Sequence, residues 1–188
     1  MKPERVVHNG WLQVLEVDFH GRTHEIVVTT DAVAVLIYVR DMDSVVFVKQ
    51  ERPVARSKEN PEGYLLELPA GRFDRALGIR QLIIAEAQEE AGVKIEFDHI
   101  YILNGGKPMY LAPGVLRESL YLAYAEVDSS QIDLTRESFG EKGKEYTERV
   151  LVKVDDLPDM QFDCMTTLAA VGWFLRKRGE SDVQQIQT

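Results

Sequence analysis

Eight consecutive apolar residues, Ala32 through Val39 (AVAVLIYV), set the strongest constraint on this chain. Such a run, rich in β-branched residues, reads as a central strand of a sheet. The polar Arg40-Asp41-Met42-Asp43 reads as a turn, and SVVFVKQ (44–50) as the strand that follows. Upstream, residues 11–19 alternate, His20-Gly21-Arg22-Thr23 turns, and residues 24–30 return as a hairpin-like strand pair. Further β-type runs occupy 65–71, 93–103, 118–128 and 149–154. Residues 52–64 and 129–147 read as polar loops. Residues 79–91 are rich in Ala, Leu, Gln and Glu and predict a helix that Gly92 stops. Residues 161–178 predict a closing helix whose last turn, Arg176-Lys177-Arg178, suits a helix C-terminus. The elements do not repeat as strand–helix units. The expectation is an α/β (α+β) fold, a mixed sheet with helices outside.

Composition removes several functional classes. At 188 residues with 45% apolar and 28% charged side chains, the chain can bury one domain's core. The single cysteine, Cys164, cannot form an internal disulfide and reads as a core residue of the closing helix. There is no run of about 18 apolar residues to span a membrane and no apolar signal core at the start. A cytoplasmic protein is expected. The 31 acidic and 22 basic residues leave a net charge of −9. Attraction to membranes or long nucleic acid is therefore weak. Carboxylates holding a divalent cation can still make a site for an anionic substrate.

The chemistry concentrates on the middle helix. Glu86, Glu89 and Glu90 stand three and four residues apart and share one edge of it. Unrelieved, the like charges repel by a few tenths of a kcal/mol per pair. A hard cation such as Mg²⁺ or Mn²⁺ would relieve them and take their oxygens as ligands. By spacing alone, a solvated acidic helix face explains them equally. The histidines His8, His20, His24 and His99 show no ligand spacing and read as structural or surface residues.

The segment GRFDRALGIRQLIIAEAQEEAGV (71–93) strongly resembles the Nudix box. That pattern is Gly, five residues, Glu, seven residues, then Arg-Glu-apolar-any-Glu-Glu-any-Gly-apolar. Gly71, Glu86, Ala87, Glu89, Glu90, Gly92 and Val93 fall in register. Leu77 stands in place of the first glutamate and Ala85 in place of the arginine, so both members of a possible ion pair are apolar. Such a double replacement is compatible with a stable box. The resemblance implies a Nudix-like α/β/α sandwich with a catalytic loop–helix–loop. It implies Mg²⁺ or Mn²⁺ held by Glu86, Glu89, Glu90 and Ala70 around a diphosphate.

Other segments are similar to the ADP-ribose and nucleoside-diphosphate-sugar pyrophosphatase branch. Lys49-Gln50-Glu51-Arg52-Pro53 looks like its glutamine-any-arginine segment. Glu67-Leu68-Pro69-Ala70-Gly71 looks like the lead into its box. Ala112-Pro113-Gly114 through Glu118 looks like its Ser-Pro-Gly motif with a downstream glutamate, with Ala112 in the serine place. The resemblance implies substrate contacts from Arg52, Glu67, Glu118 and Trp11, and catalytic roles for Glu89 and for Glu145 or Glu148, with Glu137 and Glu141 as further base candidates. It implies a small-molecule nucleoside diphosphate derivative as substrate. It implies a homodimer through an N-terminal strand pair (1–30), a hydrolase domain (31–180) and a flexible tail (181–188). Open alternatives are a non-catalytic nucleotide sensor and a hydrolase of dinucleoside polyphosphates, coenzyme A or capped RNA.

Overall fold

A computed structural model describes residues 4–140 and 146–186, with side chains as far as Glu180. The expected tail therefore lies largely outside the described residues. The fold is a mixed α/β arrangement built around a mixed sheet. Its middle strand is β4 (Ala32–Val39), as the apolar run predicts. In chain order the other strands are β1 (Arg5–Asn9), β2 (Gln13–Phe19), β3 (Arg22–Val28), β5 (Ser44–Glu51), β6 (Tyr64–Glu67) and β7 (Ala70–Arg72). After helix α1 (Ile79–Ala91) come β8 (Ile100–Ile102), β9 (Met109–Tyr110), β10 (Leu116–Arg117), β11 (Ser119–Val127), β12 (Ser138–Gly140) and β13 (Tyr146–Lys153). Helix α2 (Met165–Ile186) closes the described chain. The main sheet runs β12-β13-β5-β4-β11-β8, with β6 on β5, β7 on β4 and β9 on β11. β4 is antiparallel to β5 and parallel to β11 along its full length.

Burial explains why β4 lacks polar alternation. Val33, Val35, Ile37 and Val39 join Leu82, Ile83, Ala87 and Ala91 of α1 in one apolar cluster. Ala32, Ala34 and Leu36 join Ala170, Val171 and Phe174 of α2 in another. A strand covered on both faces has no residue to spare for water.

The residues after α1 hold its end in place. Gly92 adopts φ +64 and its N–H reaches the carbonyls of Ala87 and Gln88. The Thr147 hydroxyl donates to the Glu90 carbonyl (2.7 Å), and Arg149 donates to the Ala91 carbonyl (2.8 Å). These bonds satisfy acceptors that a helix end leaves open. Burial of the Arg149 guanidinium pushes its pKa down.

A second, smaller sheet runs β1-β2-β3-β10. The N-terminal pair is thus three antiparallel strands, with β10 added in parallel on β3. Trp11 falls in the turn before β2 and is 92% exposed. Within 93–103 only Ile100–Ile102 forms a strand, because Phe97–His99 coils into a short helical turn. The expected polar loop at 129–147 contains β12, whose Phe139 is buried against Gly92. Its residues 141–145 lie outside the described residues. The closing helix starts at Met165 rather than near 161, since Phe162 is used beforehand to stack on Phe47 (5.5 Å). Among the described residues no helix is long and apolar enough to cross a membrane.

A Cβ at position 92 would meet the Phe139 ring at 2.5 Å on a backbone that L side chains disfavour. Gly92→Ala is expected to lower stability by about 2–4 kcal/mol, read as a lower urea midpoint with an unchanged m-value.

Candidate active site

A cleft of about 480 Å³ opens where β4 begins, between the turn after β7 and the first turn of α2. Six of the residues singled out from sequence line it: Arg52, Glu67, Ala70, Glu86, Glu90 and Glu118. They come from four separated stretches of chain, and the sheet brings them together. β5 pairs β6 with Val48 opposite Glu67 and Glu51 opposite Tyr64, and the Arg52 side chain, just past the end of β5, reaches along β6 to Glu67. Arg52 Nε donates to Glu67 Oε2 at 2.6 Å. β7 pairs β4, which lays Ala70 and Gly71 across the mouth of α1. The Ala70 N–H donates to Glu90 Oε2 at 2.8 Å.

Glu86 is buried and lies against Gly71 so closely that a Cβ there would stand 2.1 Å from its carboxyl carbon. A glycine at 71 is thus needed for close approach of backbone to carboxylate. Glu89 is exposed and does not line the cleft, although it meets Arg75, which does. Arg75, from the turn before α1, spans both carboxylates. Its Nη2 donates to Glu86 Oε1 and Glu89 Oε2, each at 3.0 Å, and its Nη1 donates to Glu89 Oε1 at 2.8 Å. The hydrogen bond from Arg75 holds the Glu89 pKa below the usual glutamate range, and Arg75 is held firmly protonated in return. Leu77 and Ala85 are partly buried, and Leu77 packs on the α1-side core.

Glu118 sits between β10 and β11 and is 8% exposed. Burial pushes its pKa up, opposed by the charge of Arg72 and assisted by that of Asp31. A carboxyl shifted upward in a cleft marks a candidate acid or base.

The structure leaves other candidates apart from this cleft. Trp11 projects from the small sheet and does not line it. Glu148, on β13, pairs with Lys49 (3.8 Å) and accepts from the Tyr146 hydroxyl (3.3 Å), also outside it. Glu145 and Glu141 lie outside the described residues. Glu137 is exposed. Among the described residues, no three His, Cys, Asp or Glu side chains are grouped closely enough to hold a metal as they stand. The four histidines are exposed, as expected.

Sequence reasoning missed Arg72, Asp74, Arg75, Thr166 and Thr167 as cleft residues. Arg75 stands in a stretch where the motif prescribes no residue type, so spacing carries no signal for it. Cys164 also differs from expectation. It is half-buried on the cleft wall, because α2 starts one residue later and Leu168 N bonds back to its carbonyl (3.0 Å).

Gly71→Ala is expected to force Glu86 out of place, costing about 1–3 kcal/mol by overpacking. Denaturant melts measure the loss, and a crystal structure of the variant should show Glu86 released from Arg75.

No protein-family model matches the chain. It is similar to an ADP-ribose pyrophosphatase of Haemophilus influenzae, 26% identical over 140 residues that cover 68% of this chain. The chain spans 62% of that protein's length. This is distant similarity to a pyrophosphatase over part of that protein's length.

Proposed function

We propose that the chain hydrolyses the diphosphate linkage of ADP-ribose or a nucleoside diphosphate sugar with the help of Mg²⁺ or Mn²⁺, on a Nudix-type scaffold. The products are a nucleoside monophosphate and a sugar phosphate. One observation carries the reading: a single cleft gathers Arg52, Glu67, Glu86, Glu90 and Glu118 from distant parts of the chain. The distant relative's activity supports the same reading.

The donor set suits the metal. Glu86 and Glu89 already converge on one cationic group, the Arg75 guanidinium. Their oxygens are the hard ligands that Mg²⁺ and Mn²⁺ prefer. Glu86, Glu89 and Glu90, with the Ala70 backbone, would hold the ion. When bound, it would neutralise the diphosphate and lower the pKa of a bound water. The chain's own residues do the rest. Arg52, steered by Glu67, offers its remaining N–H groups to phosphate oxygens. Arg72 adds positive charge on the same wall. Glu118 is the better-placed described base, since it lines the cleft and its carboxyl is tuned upward. Glu148 is held within β13, outside the cleft, and Glu145 lies outside the described residues. Residues 1–30 are proposed as the face that meets a second copy, with Trp11 exposed on it.

A second reading has its own support. Arg75 already neutralises Glu86 and Glu89, and Leu77 and Ala85 replace two charged box positions. A non-catalytic nucleotide sensor would show these features.

The deciding experiment is hydrolysis of ADP-ribose, ADP-glucose, GDP-mannose, UDP-glucose, diadenosine polyphosphates and coenzyme A, with Mg²⁺, Mn²⁺ or EDTA. Turnover is expected only with metal. Glu90→Gln is expected to reduce kcat by about 100-fold or more. Arg75→Ala is expected to tighten Mn²⁺ binding, measured by electron paramagnetic resonance, because the competing cation is gone. Nucleotide binding without turnover under every metal condition would establish the sensor instead.

The pH profile tests Glu118 separately. A base works ionised, and a raised pKa places the acid limb of kcat/KM above the ordinary glutamate value of about 4.3. The limb should disappear in Glu118→Gln along with most of the rate. An unmoved limb would assign the base elsewhere.

A further inference from the structure

A second cavity lies along α2, well past the turn that lines the first cleft. It measures about 600 Å³ and presents Tyr38, Tyr101, Tyr124, Trp173 and Phe174. A neighbouring hollow of about 440 Å³ shares Tyr101, Tyr124 and Glu126 with it and continues to Arg40, Arg80 and His99. Together they form one groove with an aromatic end, a carboxylate in the middle and a cationic end. It shares no residue with the first cleft.

The aromatic end is shaped for a flat ring. Tyr101 and Trp173 lie nearly parallel, 17° apart with centroids at 6.3 Å, and the Tyr124 ring stands 5.3 Å from Trp173. Tyr101, on a short edge strand and 57% exposed, keeps ring surface open on which a flat ligand can stack. Such faces accept any flat π-system and gain stacking energy from it.

The polar groups narrow the ligand. Glu126 accepts the Tyr124 hydroxyl at 2.7 Å, and among the described residues it makes no other hydrogen bond. A carboxylate has room for several donors, so Glu126 can receive two adjacent N–H groups on the edge of a stacked ring. At the far end Arg80 donates to the Phe97 carbonyl (3.1 Å) and has no carboxylate partner among the described residues. Arg40 is already forked onto Asp128, and Asp98 is the opposing charge on that wall. Arg178 is spent on Asp43 and Tyr38, and Lys177 on Glu180. Arg80 is therefore the cation available to an anion.

We propose that this groove is a second binding site for a purine mononucleotide of the guanine type. The ring stacks at Tyr101 and Trp173, its N–H edge meets Glu126, and its phosphate meets Arg80. The site stands apart from the proposed hydrolytic cleft and does not depend on the activity assigned there.

The chain has two tryptophans, Trp11 and Trp173, so Trp11→Phe leaves Trp173 as the only indole. In that background GMP is expected to quench Trp173 emission saturably, and guanosine to bind at least tenfold more weakly. Tyr101→Ser and Glu126→Gln should each weaken GMP by fivefold or more with an unchanged melting temperature. Arg80→Ala should erase the difference between GMP and guanosine. The proposal falls if millimolar GMP gives no saturable quench. It also falls if Tyr101→Ser and Glu126→Gln both leave the quench as it was. Because Trp173 does not line the hydrolytic cleft, these outcomes are independent of whether that cleft turns over a substrate.

Discussion

The fold depends on β4 being covered on both faces. Alternate side chains of one strand feed two separate cores, with α1 on one side and α2 on the other. Both helices take their position from that strand. α1 brings Glu86, Glu89 and Glu90 to one end of it, and α2 closes the cleft from across the sheet with Thr166 and Thr167. Strand pairing does the remaining assembly. β5 carries the chain to Arg52, β7 places the Gly71 turn, and the main sheet continues through β11 directly after Glu118. The cleft lies at the ends of central strands, where paired backbone fixes the placement of charged groups.

Charge in this site is organised differently from the motif it resembles. The motif places an arginine within the helix and a glutamate in the preceding loop. Here those positions hold Ala85 and Leu77, and Leu77 packs into the apolar layer beneath. Arg75 supplies the compensating cation from the loop, two residues earlier than Leu77. Three carboxylates on one helix edge would otherwise repel one another. Arg75 and the Ala70 N–H relieve that repulsion from outside the helix. Moving the positive charge from a helix to a loop leaves it 42% exposed and free to exchange partners.

The elements legible in the sequence were those whose signal is local. The β4 run, the α1 composition with Gly92 after it, and the alternation of 118–128 each carried their own pattern. The elements that were missed owe their form to distant contacts. β12 is a strand because Phe139 finds a pocket beside Gly92 and because β13 lies next to it. The segment 93–103 reads as continuous β, yet beyond an isolated bridge from Val93 to Ile132 only Ile100–Ile102 forms a strand, on β11. Arg52, Glu67, Ala70, Glu86, Glu90 and Glu118 have motif positions and line the cleft, whereas Arg72, Asp74 and Arg75 line it without one. Their roles follow from where a turn happens to point, which spacing does not encode. Trp11 and Glu148 show the converse, since a motif assigned them and the described chain keeps both away from the cleft.

The chain crosses between the two sheets through residues 29–31, through 111–115 and lastly through a single residue. β10 ends at Arg117 and belongs to the small sheet, β11 begins at Ser119 and belongs to the main one, and Glu118 is the only residue between them. Arg117 is tied to Glu4 and Ser119 to Asp31, so the chain is clamped on both sides of that joint. That last crossing has no residue to spare, so the backbone that carries a buried cleft carboxylate is also one of the joints between the sheets.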